Sequence, residues 1–417
     1  MKFYQMSAAA RRAALVESGA LTAADAAVLA AAPGLTPAVA DSLIENQLGQ
    51  FTLPLGLARD LRVNGRVYQV PMVTEEPSVI AAASNGARLA ALSGGVHVET
   101  RPHRVTGEVV FDGVADRTAA AALITARMAD LQAVAAAAHP SIVRRGGGLE
   151  TVTVSTPGRF LKLSLQVDPQ AAMGANIVNT IAEAVAAAVG QWLGQPALVA
   201  ILTNASPQVT TATVTLTAAT LATRDVDGET IAARIGALSD LAECDVDRAV
   251  THNKGIMNGI DAAVLASGND TRAVEAGAQA YAAHTGIYRP LAVWRQTTQG
   301  DLTGTLRLPL QVGVVGGAIS ALPLAQVTKR LGGYTDVATL QAVLAALGLV
   351  QNLAALRALA GPGIQAGHMA LQARSLAIAA GARDTEIAAV AARLQAVPKD
   401  LAHAQAIVAE LRKDDAQ

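Results

Sequence analysis

The chain has 417 residues, of which 52% are hydrophobic, 16% charged and 3% aromatic, with 32 basic against 33 acidic side chains and a formal net charge of −1. That apolar content excludes a mainly disordered chain, and the length implies two or three compact units or one large domain carrying an insertion. Balanced charge without a basic stripe argues against a nucleic-acid partner, and the single cysteine, Cys244, excludes an internal disulfide or a multi-cysteine metal cluster and reads as a small buried apolar residue.

The N-terminal stretch "MKFYQMSAAARRAALVESG" lacks a continuous apolar core and a cleavage signal. No charge-poor apolar run of eighteen residues stands out, so the expectation is a cytoplasmic protein without a membrane span. Residues 8–48 alternate helical segments with breaks; Thr22 is placed to cap one helix, and Thr36, followed by Pro37, another. In "LARDLRVNGRVYQVPMV" the pair Asn64-Gly65 separates two alternating apolar stretches, the spacing of a hairpin. After "TEEPS" the run "VIAAASNGARLAAL" has helical periodicity, with Pro77 near its start.

Residues 105–204 follow a different rhythm. "TGEVVFDGV" alternates as a strand, "TAAAALITARMADLQAVAAAA" reads as one long helix, and "ETVTVSTPGRFLKLSLQVD" as a hairpin turning at Pro157-Gly158. "GANIVNTIAEAVAAAVGQWLG" is a second helix and "PALVAILTN" a buried strand. The order βαββαβ is the ferredoxin-like arrangement. The expected fold is α/β (α+β): a large mixed helical and sheet domain, residues 1–104 and 209–362, interrupted by the small unit 105–208 and followed by a helical tail, 363–417. In the second half of the large domain, "QVTTATVTLTAATLA" is a strand, 229–241 a helix, and "RLPLQVGVVGGAIS" a strand entering a glycine turn. "TLQAVLAALGLVQNLAALRALA" is a long buried helix, and the glycine-rich joint 361–367 is placed to hinge.

Four places concentrate polar chemistry. Glu75 and Glu76, ahead of Pro77, suit the positive end of a helix dipole or a general acid. In "THNKGIMNGIDAAVLASGND", Lys254 and Asn258 share a helical face, with Arg248 upstream. A lysine among Gly255, Met257 and Ile260 is poorly placed to be merely solvated, and a fixed cation there would stabilise an oxyanion. Asp270 is a natural N-cap, a role compatible with catalysis. Small residues in "DPQAAMGANIVN" open a helix to a phosphate or ligand backbone, although the spacing is not that of a parallel dinucleotide fold. His368 follows the glycine joint, where a side chain of pKa about 6.5 suits a gated proton donor. No metal-ligand spacing is present.

Taken in order, "ENQLGQFTLPLGLA", "TEEPSVIAAAS", "AAMGANIVNTIAEAV", "THNKGIMNGIDAAVLASGNDTRAVEAGA", "GVVGGA" and "GIQAGHMAL" resemble the class II hydroxymethylglutaryl-CoA (HMG-CoA) reductases over nearly the whole chain, most closely the degradative, NAD-using bacterial branch. The resemblance implies two hydride transfers from a nicotinamide dinucleotide, interconverting HMG-CoA and mevalonate plus coenzyme A through a mevaldehyde-level intermediate. It implies a catalytic set of Glu76, Lys254, Asp270 and His368, with the last on a closing C-terminal flap. Arg248, Ser78 and Asn258 would hold the HMG carboxylate. Met173, Gly174, Asn176, Asn204 and His139 would line the dinucleotide site in the ferredoxin-like domain. Glu45 and Asn46, in "ENQLG", would lie near CoA at the junction of a homodimer with shared active sites, open to higher assembly.

Two departures accompany the resemblance. Ala171 stands where the family opens its "DAMG" motif with aspartate, and aligning on Gly146-Gly147-Gly148 puts His139, with Arg144 and Arg145 nearby, where NAD-preferring relatives carry an acid. NAD(H) is placed ahead of NADP(H) on branch likeness. Gln372 replaces a second flap histidine. The competing readings are a non-redox ligand-binding sensor, suggested by Ala171, and a reductase of another branched acyl-CoA.

Overall fold

Asn64 and Gly65 both adopt positive φ, 49° and 82°, the backbone twist that joins two antiparallel strands without splaying them. In the computed structural model, which describes residues 2–31, 34–361, 373–383 and 385–414, β1 (Leu55–Val63) accordingly turns straight into β2 (Arg66–Val73). The further strands are β3 (His97–Glu99), β4 (Val105–Phe111), β5 (Gly148–Ser155) and β6 (Leu161–Asp168). They are followed by β7 (Val199–Thr203), β8 (Val209–Leu216), β9 (Ala292–Gln296) and β10 (Leu302–Pro309).

Capping follows the local signals. Thr36 accepts from Val39 N ahead of Pro37, and Thr22 accepts from Asp25 N. Pro77 takes the first position of the helix Pro77–Leu92, where its missing N–H would have no partner in any case.

The strands β3, β8, β10 and β9 make one sheet in that order. β3 and β8 are antiparallel neighbours, so the chain that leaves one and returns along the other carries the intervening unit as an insertion. That unit is the second four-stranded sheet, β5-β6-β4-β7, with helices including Ala175–Leu193 packed on its core of Phe111, Ile124, Leu161, Leu163, Leu165 and Ile181. The connectivity is βαββαβ, as the sequence rhythm implies.

Two expectations for this unit need correction. The single long helix is two, Arg117–Ala126 and Met128–Ala138, bent by 68° at Arg127, whose guanidinium stacks over the Trp192 ring at 4.9 Å. The run around β7 is not buried. Leu198, Val199 and Ile201 are exposed; along β7 the alternate residues Ala200 and Leu202 pack on the unit's core, which leaves Val199 and Ile201 on the outer face.

The large core forms around the helix Val337–Ala360, which packs on Pro77–Leu92, on the helix Val246–Ala266 and on β8 and β10. A side chain at Gly348 would put its Cβ 2.7 Å from the Ile260 side chain, so glycine there permits the close helix approach. This helix carries no charge from Val337 to Leu356 and is long and apolar enough to cross a membrane, contrary to the expectation that no such segment exists. Most of it, 72% of its apolar window, is buried inside the fold, the pattern of a core helix. Cys244, expected to be buried, is exposed because it is the last residue of the helix Gly228–Cys244. The helices 373–379, Thr385–Arg393 and Leu401–Asp414 share a small core of their own, including Val390, Leu394 and Ile407.

Candidate active site

Asp245 caps the helix Val246–Ala266, its carboxylate accepting from Arg248 N at 3.3 Å. Ile256, Ile260 and Val264 are buried toward the large core. Lys254, Asn258, Asp261 and Leu265 recur at helical spacing and form another stripe. That stripe lines a cavity of about 650 Å³. Leu53, Val73 and the turn Thr74, Glu75 and Glu76 make a second wall, and Thr271, Arg272 and Glu275 a third.

The turn holds Glu76 by both ends. Its N–H donates to Thr74 Oγ1 at 3.2 Å, and its carboxylate accepts from Ser78 Oγ. Glu75 is exposed, whereas Glu76 is half-buried. Lys254 is exposed and has no hydrogen-bond or ion-pair partner among the described residues. The expectation that its neighbours withdraw it from water is corrected here. Helical rotation carries Met257 and Ile260 into the core and leaves the lysine at the cavity wall.

Asp261 and Glu275 escape a reading based on motifs, yet they hold the most perturbed carboxyl group of the cavity. Glu275 stands within hydrogen-bonding reach of Asp261; burial, that bond and the Glu275 charge push the Asp261 pKa up to about 8. Asp261 Oδ1 is buried without a partner. The helical spacing from Lys254 is a signal for Asp261; nothing local signals its meeting with Glu275.

Asp270 caps the helix Thr271–Ala282, accepting from Arg272 N at 2.9 Å and Ala273 N at 3.2 Å and pairing with the Arg272 guanidinium at 3.1 Å. It is half-buried beside the cavity residues Thr271 and Arg272, without lining the cavity itself. Its neighbour Asn269 hydrogen-bonds both ways with the Gly313 peptide, and Val314 N donates to Ala171 O at 2.8 Å. The loop after β10 thereby meets the residues that precede Ala175–Leu193.

Met173 and Gly174 sit at this junction. A Cβ on Gly313 would lie 2.3 Å from Met173 N, and Gly174 takes φ 107° with Pro169 against its open side. Ala171, the departure from the family pattern, packs its methyl group against the large core. His103 Nε2 donates to Ala172 O at 3.1 Å, and burial lowers its pKa. Asn176 is exposed on the first helical turn, and exposed Asn204 follows β7, with its carbonyl close to Gly277. His139 joins the helices Met128–Ala138 and Pro140–Arg144, with Nδ1 3.1 Å from Ser141 Oγ.

The structure thus brings Glu76, Lys254 and Asn258 to one cavity, with Ser78 on Glu76 and Asp270 at its border. Arg248 is half-buried outside the cavity lining, its Nε buried and unpartnered. Glu45 and Asn46 occupy an exposed turn after the helix Pro37–Leu43, away from that lining. His368, Gln372, Gly363 and Gly367 lie outside the described residues.

Residues 7–373 match the family model described as hydroxymethylglutaryl-coenzyme A reductase. The 3-hydroxy-3-methylglutaryl-coenzyme A reductase of Archaeoglobus fulgidus is 42% identical over 359 residues, covering 85% of this chain and 81% of the relative. A probable reductase of the same name from Borreliella burgdorferi is 33% identical, covering 80% and 77%. Among solved structures, the class II reductase of Streptococcus pneumoniae bound to NADPH in open conformations superposes with a TM-score of 0.82 at 38% identity, covering 98% of this chain and all of that one. A second structure of the Streptococcus pneumoniae reductase gives 0.84 at the same identity, covering 98% and 99%.

Proposed function

Because this chain belongs to the hydroxymethylglutaryl-coenzyme A reductase family, a family of oxidoreductases, we propose that the cavity around Lys254 interconverts HMG-CoA with mevalonate and free CoA. The observation that carries the assignment is an unpaired ammonium group and an anchored carboxyl group, Lys254 and Glu76, facing one cavity.

Lys254 has no internal acceptor to satisfy, so its charge is free to meet the oxygen that becomes negative when the thioester carbonyl is reduced. A preorganised donor at such an oxygen contributes about 10²–10³-fold in rate. Glu76, its carboxyl steadied by Ser78, gives the proton to the mevaldehyde carbonyl oxygen. Asp270, fixed by its capping bonds, supports both groups from the border of the cavity. Arg248, with an unpartnered Nε–H, takes the HMG carboxylate together with Ser78 and Asn258. His368 protonates the departing CoA thiolate; a free thiol has a pKa of about 8.5, so the transfer is favourable near neutrality.

A bound nicotinamide dinucleotide supplies the hydride. The junction at Met173 and Gly174 would hold its diphosphate: Gly174, at φ 107°, caps a 19-residue helix, and the unpaired N–H groups of a first helical turn favour anions. Asn176, Asn204 and His139 would complete the lining of that site. Branch likeness puts NADH first, while the exposed guanidinium groups of Arg144 and Arg145 also suit the 2′-phosphate of NADPH. The division into a substrate domain (1–104 and 209–362), a dinucleotide domain (105–208) and a flap (363–417) is part of this reading.

Exposed Ile44, Leu48 and Phe51, beside Glu45 and Asn46, support a homodimer in which that segment approaches CoA in a shared site. Supplying mevalonate, CoA and either NAD or NADP tests the assignment: reduced nicotinamide should form with at least one, and its absence with both would overturn the reading.

A further inference from the structure

We propose that Asp261 and Glu275 form a carboxyl pair that keeps one proton between them, and that this proton sets the charge which Lys254 and an incoming anionic substrate meet in the cavity. The role in turnover rests on the reductase reading; the shared proton does not.

The placement is specific. Asp261 follows Lys254 by seven residues on one helical stripe, with Asn258 between them, an axial separation of about 10 Å. Glu275 enters from the helix Thr271–Ala282 and stands against Asp261, its Oε2 also accepting from Gln279 Nε2 at 2.8 Å. Both acids line the cavity. Asp261 Oδ1 is buried and receives no donor, so nothing compensates a second negative charge at that point. Two facing carboxyl groups without a cation between them hold one proton as a pair, its O–H donating to the remaining carboxylate.

The other charged groups of the cavity do not supply that cation. They are Glu75 and Glu76 from the turn after β2, Lys254 on the same helix, and Arg272, whose guanidinium pairs with Asp270. The elements packed elsewhere on the helix Val246–Ala266 carry Arg66 on β2, Arg88 on Pro77–Leu92, Arg234 on Gly228–Cys244, Lys329 and Arg330 on Pro323–Gly332, and Arg357 on Val337–Ala360. None of these lines the cavity.

With the proton in place the pair carries one negative charge, and Lys254 remains free for the substrate. Its loss adds a second negative charge to the wall opposite an anionic substrate and draws the ammonium group toward the pair. Asp261 and Glu275 are thus positioning residues that act through Lys254.

The test combines infrared difference spectra of the ligand-free protein, recorded across pH, with the pH profile of kcat/KM for HMG-CoA. Wild-type protein should show a protonated-carboxyl band that disappears as pH rises through about 8, missing in both Asp261→Asn and Glu275→Gln. Wild-type kcat/KM should fall about tenfold between pH 7 and pH 9, and the same ratio in each variant should stay within about twofold. A wild-type spectrum without that band overturns the shared proton. A band that titrates as expected, with the alkaline fall unchanged in both variants, overturns the role in turnover. Wild-type protein that shows the band and reduces no HMG-CoA would contradict the reductase reading and leave the proton pair standing.

Discussion

The side-chain amide of Asn269 holds the peptide of Gly313 from both sides, donating to its carbonyl at 3.0 Å and accepting from its N–H at 2.7 Å. The residue after Asn269 is Asp270, and the peptide after Gly313 bonds to Ala171, so one brace links the acid beside the cavity to the loop assigned to the dinucleotide. Asn269→Ala strands two backbone groups and should cost about 1–3 kcal/mol of stability. In urea unfolding and steady-state assays, this variant should lose stability and raise KM for the dinucleotide more than for HMG-CoA. Wild-type values for both would show the brace to be idle.

Gly313 tests the same junction from the other side. An added Cβ would meet Met173 N at 2.3 Å and the Ala172 carbonyl carbon at 2.7 Å, both backbone atoms, so the loop must move. Gly313→Ala should weaken dinucleotide binding by about tenfold or more, the equivalent of about 1.4 kcal/mol, with HMG-CoA binding retained. Calorimetry with each ligand separately decides this, and unaltered dinucleotide affinity would count against the site.

His252 gives the fold an acid-side weakness. It is almost fully buried, and burial with the nearby Arg248 charge lowers its pKa to about 4, partly offset by the Ala292 backbone. The unfolded chain titrates near 6.5, so between these values it binds more protons than the folded one. The contribution is therefore complete above about pH 6.5 and declines as pH falls toward 4, by roughly 3 kcal/mol in total. Urea midpoints measured across that window should fall in the wild type and fall less in His252→Asn. Equal slopes would place the acid sensitivity elsewhere.

Leu48 and Phe51 stand almost wholly in solvent within a single chain, an arrangement that suits a covered face in an assembly. Sedimentation should give wild-type protein twice the chain mass or a multiple of it. The double variant Leu48→Asp with Phe51→Asp should shift toward monomer and lose turnover. A fully active wild-type monomer would remove the shared-site reading.

What could be read along the chain were features acting within a few residues. Asn64-Gly65 specifies its own hairpin, Pro77 its own helix start, and the period change at 105–204 the inserted unit. The bend at Arg127 could not be read this way, since its neighbours nearly all favour helix and the visible contact is with Trp192, distant in sequence. An apolar run such as that of β7 looks buried until packing covers only one of its faces, Ala200 and Leu202 on the core and Val199 and Ile201 in solvent. At the site, spacing places Lys254, Asn258 and Asp261 on one stripe. Asp261 acquires its character from burial and from Glu275, which the turn through Gly268 and Asp270 folds back toward it.

The most direct test of the account is kcat for Lys254→Ala against wild type, with HMG-CoA and the preferred reduced nicotinamide, alongside a thermal unfolding curve. The account predicts a fall of about 10²–10³-fold or more in a variant that unfolds at the wild-type temperature. Near-normal turnover in that folded variant would contradict it.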